Sequence, residues 1–442
     1  MIVTKFGGSS CANSLQFKKV KNIVESDSQR KVVVVSAPGK HQGDNFKITD
    51  TLHLCYQLSK EQLDIGEIFN KIADRYRAIL TDLKLKLPLE EELDLIRNKL
   101  IAGSSEDYVI SRGEYLNARL MAEFLGYEFV DATELVVFNA ERKYEQAATY
   151  ERLQQFAEHG LETARGIVVP GFYGATPAGE IVTFPRGGSD ITGSILAAGL
   201  QADLYENWTD VAGFLVADPK IVDNPQRIKS LSYVELRELS YSDSQIIQAD
   251  AIAAAREAEI PLLIKNTNDP DNPGTMIHSK KPANGQLVTG IAGQQNFTVI
   301  HLNKYGRNAD YGFIRKVCTI LEAHKITIHH MPTSLDTMSI IFHIDNKKEL
   351  KQIIEQIDLY CRPDQSSYEQ NMALITVVGE SMAYQLGIAG KVFTALGSKG
   401  VNIRMITQGA SEYNIIVGIE SHQYDLAIKT LYDYFFGEDE GK

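Results

Sequence analysis

A lysine, paired glycines and two hydroxyl residues stand together at the start of the chain, in the letters KFGGSS. Gly7 and Gly8 allow the backbone to approach a ligand closely, and Ser9 and Ser10 are residue types that cap a following helix. The N-terminus of such a helix attracts anions, and Lys5 adds a full positive charge. The turn is therefore predicted to hold a phosphate. Because the lysine precedes the glycines, the Walker pattern is absent and a P-loop NTPase is disfavoured.

A second charged residue before paired glycines occurs in the letters FPRGGSDITGSILAAGL. The guanidinium of Arg186 suits a carboxylate that is held in two places at once, and the nearby carboxylate of Asp190 suits an ammonium group. Glu114, in SRGEYLNARL, supplies another carboxylate at what we predict to be a helix start. Together these residues describe a site for a zwitterion.

A third segment, NWTDVAGFLVADPK at residues 207–220, contains an aspartate, a glycine and an ADPK turn. A loop of this kind can wrap around the base and ribose of a nucleotide. An ordinary strand followed by a turn shows the same residue types. From these residues alone, both interpretations stay open.

The composition limits the partners of the chain. With 442 residues, 44% of them hydrophobic, the chain is long enough for two or three domains with buried cores. A formal net charge of −12 opposes broad attraction to nucleic acid or to an anionic membrane surface. No apolar run approaches the roughly 18 residues that span a bilayer, and no basic segment precedes an apolar one at the N-terminus. We expect a cytoplasmic protein whose partners are small molecules or other subunits, with no nucleic acid and no membrane.

Neither cysteine nor histidine spacing predicts a metal site. The two adjacent histidines, His329 and His330, fall in a predicted strand, where consecutive side chains point to opposite faces. The cysteines form no CxxC pair and are too far apart in sequence to indicate a disulfide framework or a zinc site. We expect free thiols at Cys11, Cys55, Cys318 and Cys361.

Short apolar runs that end in Gly, Ser, Pro, Asp or Asn recur along the first 270 residues. Helical stretches separate them, so they are predicted to be buried parallel strands of an α/β sheet, whose ligands bind at the carboxyl ends of the strands. The polar segment 58–103 is predicted to be a helical excursion from that sheet, a lid or a scaffold. The predicted strands lie within 31–39, 164–174, 202–213 and 260–267.

Beyond about residue 292 the sequence repeats itself at an offset of 75 residues. The segment that begins at Gly312 aligns without gaps to the segment that begins at Gly387. Each copy has the order strand, helix, strand, strand, helix, which is typical of a ferredoxin-like α+β unit, and such units pair by extending one small sheet against another. The predicted domains are 1–292 and 293–442, the second with copies at about 297–366 and 370–438.

Eight short strings resemble aspartate kinase: KFGGSS, VVSAPGK with a following ITD, SRGE, PGFYG, RGGSDIT, WTDVAG, ADPK and NPGT. Two repeats of ACT type follow them, and the resemblance spans nearly the whole chain. Other amino acid kinases rarely combine the RGGSD and WTDV strings with a tandem ACT tail. The resemblance implies an α/β fold of amino acid kinase type over 1–292, with a largely parallel sheet sandwiched by helices. Two ferredoxin-like α+β ACT-type domains are implied to follow it.

The resemblance also implies site residues. In that family the matching lysine contacts the transferring phosphoryl group, the arginine grips the α-carboxylate, and acidic residues orient the α-ammonium and the reacting end. The implied catalytic residues are therefore Lys5 and Asp190, and the implied aspartate-binding residues are Thr49, Glu114, Arg186 and Ser189. The implied nucleotide-binding residues are Lys5, Gly7, Gly8, Ser9, Thr209, Asp210, Phe214, Asp218 and Lys220.

The implied reaction is ATP-dependent phosphorylation of the aspartate β-carboxylate to 4-phosphoaspartate, the first step toward lysine, threonine and methionine. That carboxylate has an ordinary pKa of about 3.9, so it is an ionised nucleophile at pH 7 and requires no general base. The reaction needs charge neutralisation on the γ-phosphoryl group and alignment of two anions. Lys5, the first helix N-terminus and Mg²⁺ can supply both, and the resemblance implies ATP with Mg²⁺.

Two positions depart from the family pattern near the nucleotide. Gln245 stands where a nucleotide-contacting lysine is expected, and Gln248 stands in place of a histidine. The loss of one cation beside a triphosphate weakens binding by about 1–3 kcal/mol. Three functions stay open: a feedback-regulated aspartate kinase, a sibling kinase for another carboxylate, and a catalytically weakened amino acid sensor. Glu114 and Asp190 favour a substrate with a free ammonium over an N-acylated one.

The resemblance implies an effector site where two ACT-type units pair, either within one subunit or across a dimer, and we expect a homodimer or a higher homo-oligomer. Lysine is the expected effector, with threonine as a second candidate. His329 and Leu335 stand where some lysine-sensing relatives are acidic, so the identity of the effector stays open. The predicted effector-binding residues are Asp310, Gly312, Phe313, Ile314 and Ser334.

Overall fold

The computed structural model contains two compact units. The first comprises Met1–Phe214, Arg227–Leu236 and Gln245–Pro282, and the second comprises Leu215–Gln226, Arg237–Ser244 and Ala283–Lys442. The predicted domain boundary at residue 292 stays a prediction. The structure describes residues 1–40, 46–161, 164–185, 187–240, 247, 249–281, 286–306, 310, 312–409 and 411–437, which are called the described residues below.

Ten strands form the sheets of the first unit. They are β1 (Ile2–Phe6), β2 (Arg30–Val35), β3 (Glu128–Phe129), β4 (Ile167–Pro170), β5 (Tyr173–Ala175), β6 (Ile181–Thr183), β7 (Leu204–Thr209), β8 (Ser230–Ser232), β9 (Leu262–Asn266) and β10 (Thr275–His278). Eight of them form one sheet in the order β3-β4-β2-β1-β7-β9-β10-β8, and β5 pairs with β6. Neighbours in the large sheet run parallel, except that β9 and β10 are antiparallel. The predicted α/β sheet is confirmed, with the four predicted strands as β2, β4, β7 and β9.

The helices of the first unit are α1 (Ser14–Glu25), α2 (Ile48–Lys60), α3 (Gly66–Leu83), α4 (Leu89–Ile101), α5 (Glu106–Leu125), α6 (Ala132–Leu135), α7 (Gln146–Phe156), α8 (Gly188–Gly199) and α10 (Ala253–Glu257), and α9 (Tyr233–Ser240) has residues in both units. Within the segment 58–103, α3 and α4 bury Phe69, Ile72, Leu93 and Ile96 in the same core as the valines of β2. These two helices therefore form a packed scaffold. No helix among the described residues is both long and apolar enough to span a membrane.

A buried ion pair connects two strands across the centre of the sheet. Arg30, at the start of β2, reaches over β1 and donates from Nε and Nη2 to the two carboxylate oxygens of Glu206 in β7, at 2.8 and 3.0 Å. The indole N–H of Trp208 donates to the same carboxylate at 2.8 Å, and the ring of Trp208 stacks on Phe6. Both charges are therefore satisfied although their side chains are almost fully buried.

The second unit is built from the two sequence repeats. Its elements are β11 (Gly290–Asn303), α11 (Phe313–Ala323), β12 (Ile328–His330), β13 (Thr337–Phe342), α12 (Lys347–Cys361), β14 (Gln365–Val378), α13 (Ile388–Ser398), β15 (Met405–Gln408), β16 (Asn414–Glu420) and α14 (Tyr424–Phe436). The six strands form one sheet in the order β12-β13-β11-β14-β16-β15. The two long strands β11 and β14 pair antiparallel, so the copies extend one another's sheet within the chain. The predicted tandem of ferredoxin-like units is confirmed.

The replacement Arg30→Ala tests the central ion pair. It leaves the Glu206 carboxylate buried beside an apolar cavity, and we expect the free energy of unfolding to fall by about 3–5 kcal/mol. Urea unfolding followed by circular dichroism measures the change. The double variant Arg30→Met, Glu206→Gln removes both charges and is expected to recover most of the loss. A loss below about 1 kcal/mol for Arg30→Ala would contradict a role for this pair in holding the sheet together.

Candidate active site

The carboxyl ends of three parallel strands meet at one edge of the large sheet. Lys5 is the fourth residue of β1, the loop Ser36–Gly39 follows β2, and Thr209 ends β7. β1 pairs with both β2 and β7, which places these segments side by side. The edge is where ligands of parallel sheets bind.

The two predicted catalytic residues are in direct contact at this edge. The Nζ of Lys5 lies 2.6 Å from Oδ1 of Asp190, and both side chains are largely buried. Asn207 in β7 donates from Nδ2 to the same oxygen at 2.6 Å. Sequence analysis did not single out Asn207. The sequence indicated a role for Asn207 only in one way: its amide side chain stands within a predicted buried strand, where a polar group requires a hydrogen-bond partner.

The glycine turn is shaped by backbone packing. A Cβ atom on Gly8 would lie 3.0 Å from the carbonyl oxygen of Ala37, and one on Gly39 would lie 2.7 Å from the carbonyl carbon of Gly8. The amide of Gly39 donates to the carbonyl of Gly8 at 2.8 Å. The turns after β1 and β2 thus touch through their backbones, which requires glycine at position 39 and leaves little room for a side chain at position 8. Gly7 contributes an amide that donates to the carbonyl of Trp208 at 2.9 Å.

The prediction that Ser9 and Ser10 cap the next helix is wrong. Gly8–Cys11 forms a short 3₁₀ helix, and α1 begins only at Ser14. Asn13 caps α1 by accepting from the amide of Gln16 at 3.0 Å. The hydroxyl of Ser10 instead lies 2.7 Å from that of Thr267. A capping side chain must directly precede the first helical turn, and the 3₁₀ helix separates both serines from α1.

A strained residue supports the start of α8, which carries Ser189 and Asp190. Phe172 has φ +83°, a left-handed conformation that is costly for a bulky side chain. Its amide donates to Oγ1 of Thr192 at 2.9 Å, and that hydroxyl donates to the carbonyl of Gly188 at 3.0 Å. The PGFYG segment is thus bonded to the first turn of α8. Arg186 lies outside the described residues.

Glu114 is buried in the interior of α5, so the prediction that it starts a helix is wrong. It is the ninth residue of α5, and only 5% of it is exposed. It accepts a hydrogen bond from the backbone of Ala37, whereas its Oε2 has no hydrogen-bond partner among the described residues. Burial raises the pKa of this carboxyl to about 8. A buried carboxyl with one unsatisfied oxygen fits a site that waits for a cation or a hydrogen-bond donor.

Thr49 lies near the same loop as Glu114. It is the second residue of α2 and is half-buried, and α2 begins where the amide of Ile48 donates to the carbonyl of Pro38. Glu114 also contacts that loop through Ala37. The two predicted substrate residues are therefore carried by helices that meet at the loop after β2.

The predicted nucleotide residues are divided between the two units. In the first unit, Thr209 ends β7 and donates from its hydroxyl to the carboxylate of the following Asp210 at 3.1 Å, and the ring of Phe214 is buried. In the second unit, Asp218 accepts from the amide of Lys220 at 2.9 Å, and both side chains are exposed. Neither Gln245 nor Gln248 is among the described residues.

The predicted effector residues fall in two places within the second unit. Asp310 accepts from the amide of Gly312 at 3.2 Å, immediately before α11. Phe313 is fully buried, whereas Ile314 is 37% exposed. Ser334 lies in the loop between β12 and β13, where its amide donates to the carbonyl of Thr337. Gly312 is the N-cap residue of α11, and no described side chain accepts a capping hydrogen bond from the first turn of this helix.

Both units match known protein families. Residues 1–266 match the amino acid kinase family, and residues 375–435 match the ACT domain. Over 451 aligned residues the chain is 38% identical to aspartokinase 3 of Bacillus subtilis (strain 168), and the match covers 99% of each protein.

Solved structures give the same assignment. The aspartate kinase of Clostridium acetobutylicum is 45% identical with a TM-score of 0.92, over 98% of this chain and 99% of that one. E. coli aspartokinase III, which is 25% identical to this chain, has been solved in two complexes. The complex with aspartate and ADP has a TM-score of 0.76 over 99% of this chain and 100% of that one, and the complex with lysine and aspartate has 0.81 over 99% of each. The fold and this full-length similarity show that the chain belongs to the aspartokinases of the amino acid kinase family.

Proposed function

We propose that the chain transfers the γ-phosphoryl group of ATP to the β-carboxylate of L-aspartate. The observation that carries the proposal is the buried contact of Lys5 with Asp190, beside the glycine turn at the carboxyl edge of the sheet. E. coli aspartokinase III, which shares the fold and 25% of the sequence, has been solved with aspartate and ADP. No described residue needs to act as general base, because the attacking carboxylate is already ionised.

Lys5 is proposed to stabilise the charge of the transferring phosphoryl group. Only 6% of this residue is exposed, so its charge is weakly screened by water. The ammonium is paired with the carboxylate of Asp190, which Asn207 holds from the other side. A fixed cation in a water-poor site costs little reorganisation when charge develops next to it.

The aspartate zwitterion is proposed to bind between acidic and basic residues. The Oε2 of Glu114 is the buried acceptor in need of a donor, and an α-ammonium group supplies one. Arg186 is proposed to hold the α-carboxylate, with Thr49 and Ser189 as neighbouring hydroxyls. This arrangement favours a free amino acid, because an N-acyl group would remove the ammonium that Glu114 requires.

ATP is proposed to bind with Mg²⁺. Among the described residues, no group of three or more His, Cys, Asp or Glu side chains is placed to hold a metal ion. Mg²⁺ commonly keeps several waters and is bound by one or two carboxylates together with substrate phosphates, and Asp190 and Asp210 are carboxylates available at this edge. The bound ion would neutralise phosphate charge.

An assay of ADP release with three acceptors tests the proposed reaction. We expect turnover with L-aspartate and none with L-glutamate or N-acetyl-L-glutamate, each at the same ATP and Mg²⁺ concentrations. Turnover with either of the other acceptors would indicate a sibling kinase. No turnover with any acceptor would indicate the amino acid sensor.

The replacement Lys5→Ala tests the phosphoryl-stabilising role. One well-placed donor is worth about 2.7–4 kcal/mol in the transition state, so we expect kcat for ADP release to fall by about 10²–10³-fold. The exposed Lys18→Ala in α1 is the matched control and is expected to leave kcat unchanged. Thermal melting checks that both variants fold. Wild-type turnover in folded Lys5→Ala would remove Lys5 from the mechanism.

The pH dependence of stability tests the buried carboxyl of Glu114. Its folded-state pKa of about 8 lies above the value of about 4.3 for an unfolded glutamate. Between these values the folded chain retains a proton that the unfolded chain has released, so this group makes stability fall as pH rises from about 4.5 to 8. We expect Glu114→Gln to unfold at a higher urea concentration than wild type at pH 9, and to bind aspartate more weakly. The exposed Glu91→Gln is the control, and an identical pH slope in wild type and Glu114→Gln would contradict the assignment.

We further propose that lysine inhibits the enzyme at the start of α11, where ACT-type units pair in a homodimer or a higher homo-oligomer. E. coli aspartokinase III has been solved with lysine and aspartate, which supports lysine over threonine. The backbone around Gly312 and Phe313 is proposed to receive the carboxylate of the effector, and Asp310 or Ser334 its ammonium. Sedimentation with and without lysine measures the oligomeric state.

The replacement Gly312→Asp tests this effector site. Gly312 has φ −99°, and a Cβ atom there would lie 3.5 Å from Cε of Lys316, so an aspartate fits without strain. The new carboxylate repels the effector carboxylate, and we expect inhibition by lysine to be abolished while uninhibited turnover stays nearly unchanged. Initial rates are measured across titrations of lysine, threonine and their mixture. A variant that is inhibited as strongly as wild type would show that the site lies elsewhere.

A further inference from the structure

Two side chains of β7 hold Asp190 at the start of α8. Tyr205 and Asn207 are two positions apart in β7, so they lie on the same face of the sheet. The hydroxyl of Tyr205 donates to the backbone carbonyl of Asp190 at 3.2 Å, and Nδ2 of Asn207 donates to its Oδ1 at 2.6 Å. Tyr205 and Asn207 are both buried. One strand therefore fixes the backbone and the carboxylate of Asp190.

A glycine in α8 permits this close approach. Gly193 lies about one helical turn after Asp190 and on the same side of α8. A Cβ atom on Gly193 would lie 2.5 Å from the hydroxyl oxygen of Tyr205. A larger residue there would displace the ring of Tyr205 and, with it, the first turn of α8. The spacing of Asp190 and Gly193 thus allows the helix to dock on β7 at the carboxylate.

Asn207 stands beside Lys5 in the sheet. β1 and β7 run parallel with Lys5 paired to Asn207, and paired residues of neighbouring strands point to the same face. Both side chains reach one oxygen, because Nζ of Lys5 is also 2.6 Å from Oδ1 of Asp190. No described residue donates a hydrogen bond to Oδ2 of Asp190, whose side chain is 18% exposed. A cation and a neutral donor thus share one carboxylate oxygen and leave the other for a ligand.

Phosphoryl transfer affects these two contacts differently. When a phosphoryl group binds at Lys5, its negative charge competes with Asp190 for the ammonium. The amide of Asn207 is uncharged and attracts the phosphoryl group less than the ammonium does, so its contact with Asp190 can persist. A cation at position 207 would itself be drawn to the phosphate, and a carboxylate there would repel Asp190. An amide donor is therefore suited to this position.

We propose that Asn207 is a positioning residue for phosphoryl transfer. It keeps the carboxylate of Asp190 in place while the ammonium of Lys5 turns to the transferring group, so that Oδ2 stays available to the bound substrates. The inference rests on the proposed kinase function, because it places Lys5 and Asp190 in that reaction. Asn207 then matters most in the transition state, when Lys5 is engaged elsewhere. It matters little for the binding of ADP, which has no γ-phosphoryl group.

The replacement Asn207→Leu tests the proposal, because leucine has nearly the shape of asparagine but no donor. We expect kcat for ADP release with L-aspartate to fall by about 10- to 100-fold, the usual effect of one lost hydrogen bond to a charged group. The Kd for ADP, measured by isothermal titration of the full chain, is expected to stay within about threefold of wild type. A merely structural role would instead weaken ADP binding along with kcat.

The replacement Thr4→Val is the matched control. Thr4 is buried in β1 next to Lys5, on the opposite face of the sheet, and its hydroxyl donates to the carbonyl of Val32 at 3.1 Å. The variant removes a buried hydrogen bond of the same sheet and leaves the contacts of Asp190 intact. We expect kcat within about twofold of wild type. Thermal melting checks the fold of each variant.

The replacement Asn207→Asp gives a second test that does not depend on the leucine variant, because aspartate has the same shape as asparagine. It sets a second carboxylate against Oδ1 of Asp190, and we expect kcat to fall further than in Asn207→Leu. Wild-type kcat in either folded variant, or a loss of ADP affinity as large as the loss of kcat, would overturn the proposal while the kinase function stands. Absence of turnover in wild type would overturn the proposed function, and this inference with it.

Discussion

The parallel pairing of β1 with β2 and with β7 is the constraint on which the candidate active site depends. It brings Lys5, the loop Ser36–Gly39 and Thr209 to one edge. At the opposite end of the same strands, Arg30 reaches over β1 to Glu206. Because this contact joins the strands on either side of β1, it holds the register that places Lys5 beside Asn207. The ion pair of Arg30 and Glu206, which stabilises the sheet, and Lys5, which is proposed to act in catalysis, thus lie on the same three strands.

The buried charged groups of the candidate active site are balanced in two different ways. Lys5 is neutralised by an ion pair with Asp190, whereas burial favours the protonated form of Glu114 and raises its pKa to about 8. A bound ligand changes the surroundings of both groups. An anion near Lys5 competes with Asp190 for its ammonium, and an ammonium near Glu114 favours the ionised carboxylate. The strained backbone of Phe172 is tied to the first turn of α8, so Asp190 is held by a segment that stores conformational energy.

The second unit shows how a repeated sequence yields unequal surfaces. Its two copies share one sheet, and Phe297, Val299 and Ile341 of the first copy form one buried cluster with their equivalents Met372, Leu374 and Ile416 of the second. In the first copy His329 and His343 lie against Phe297, whereas the equivalent positions of the second copy are Arg404 and Gly418, and there the side chain of Met405 packs beside Gly418. A duplicated domain can therefore diverge at the residues that cover its sheet without a change in the sheet itself.

Local patterns determined the architecture of this protein. Apolar runs separated by helical stretches predicted β2, β4, β7 and β9, and the 75-residue offset predicted the tandem units, because strand burial and repeat length are local properties of a sequence. The nearness of Lys5 to Asp190 followed only from a resemblance, since 185 residues separate them. Only the tertiary structure decided which groups meet around these residues. It places Asn207 as the second partner of Asp190, brings the backbone of Gly39 against that of Gly8, and puts Glu114 in the interior of α5. Contacts between distant segments depend on strand order and register, and a single sequence does not encode these as a local periodicity.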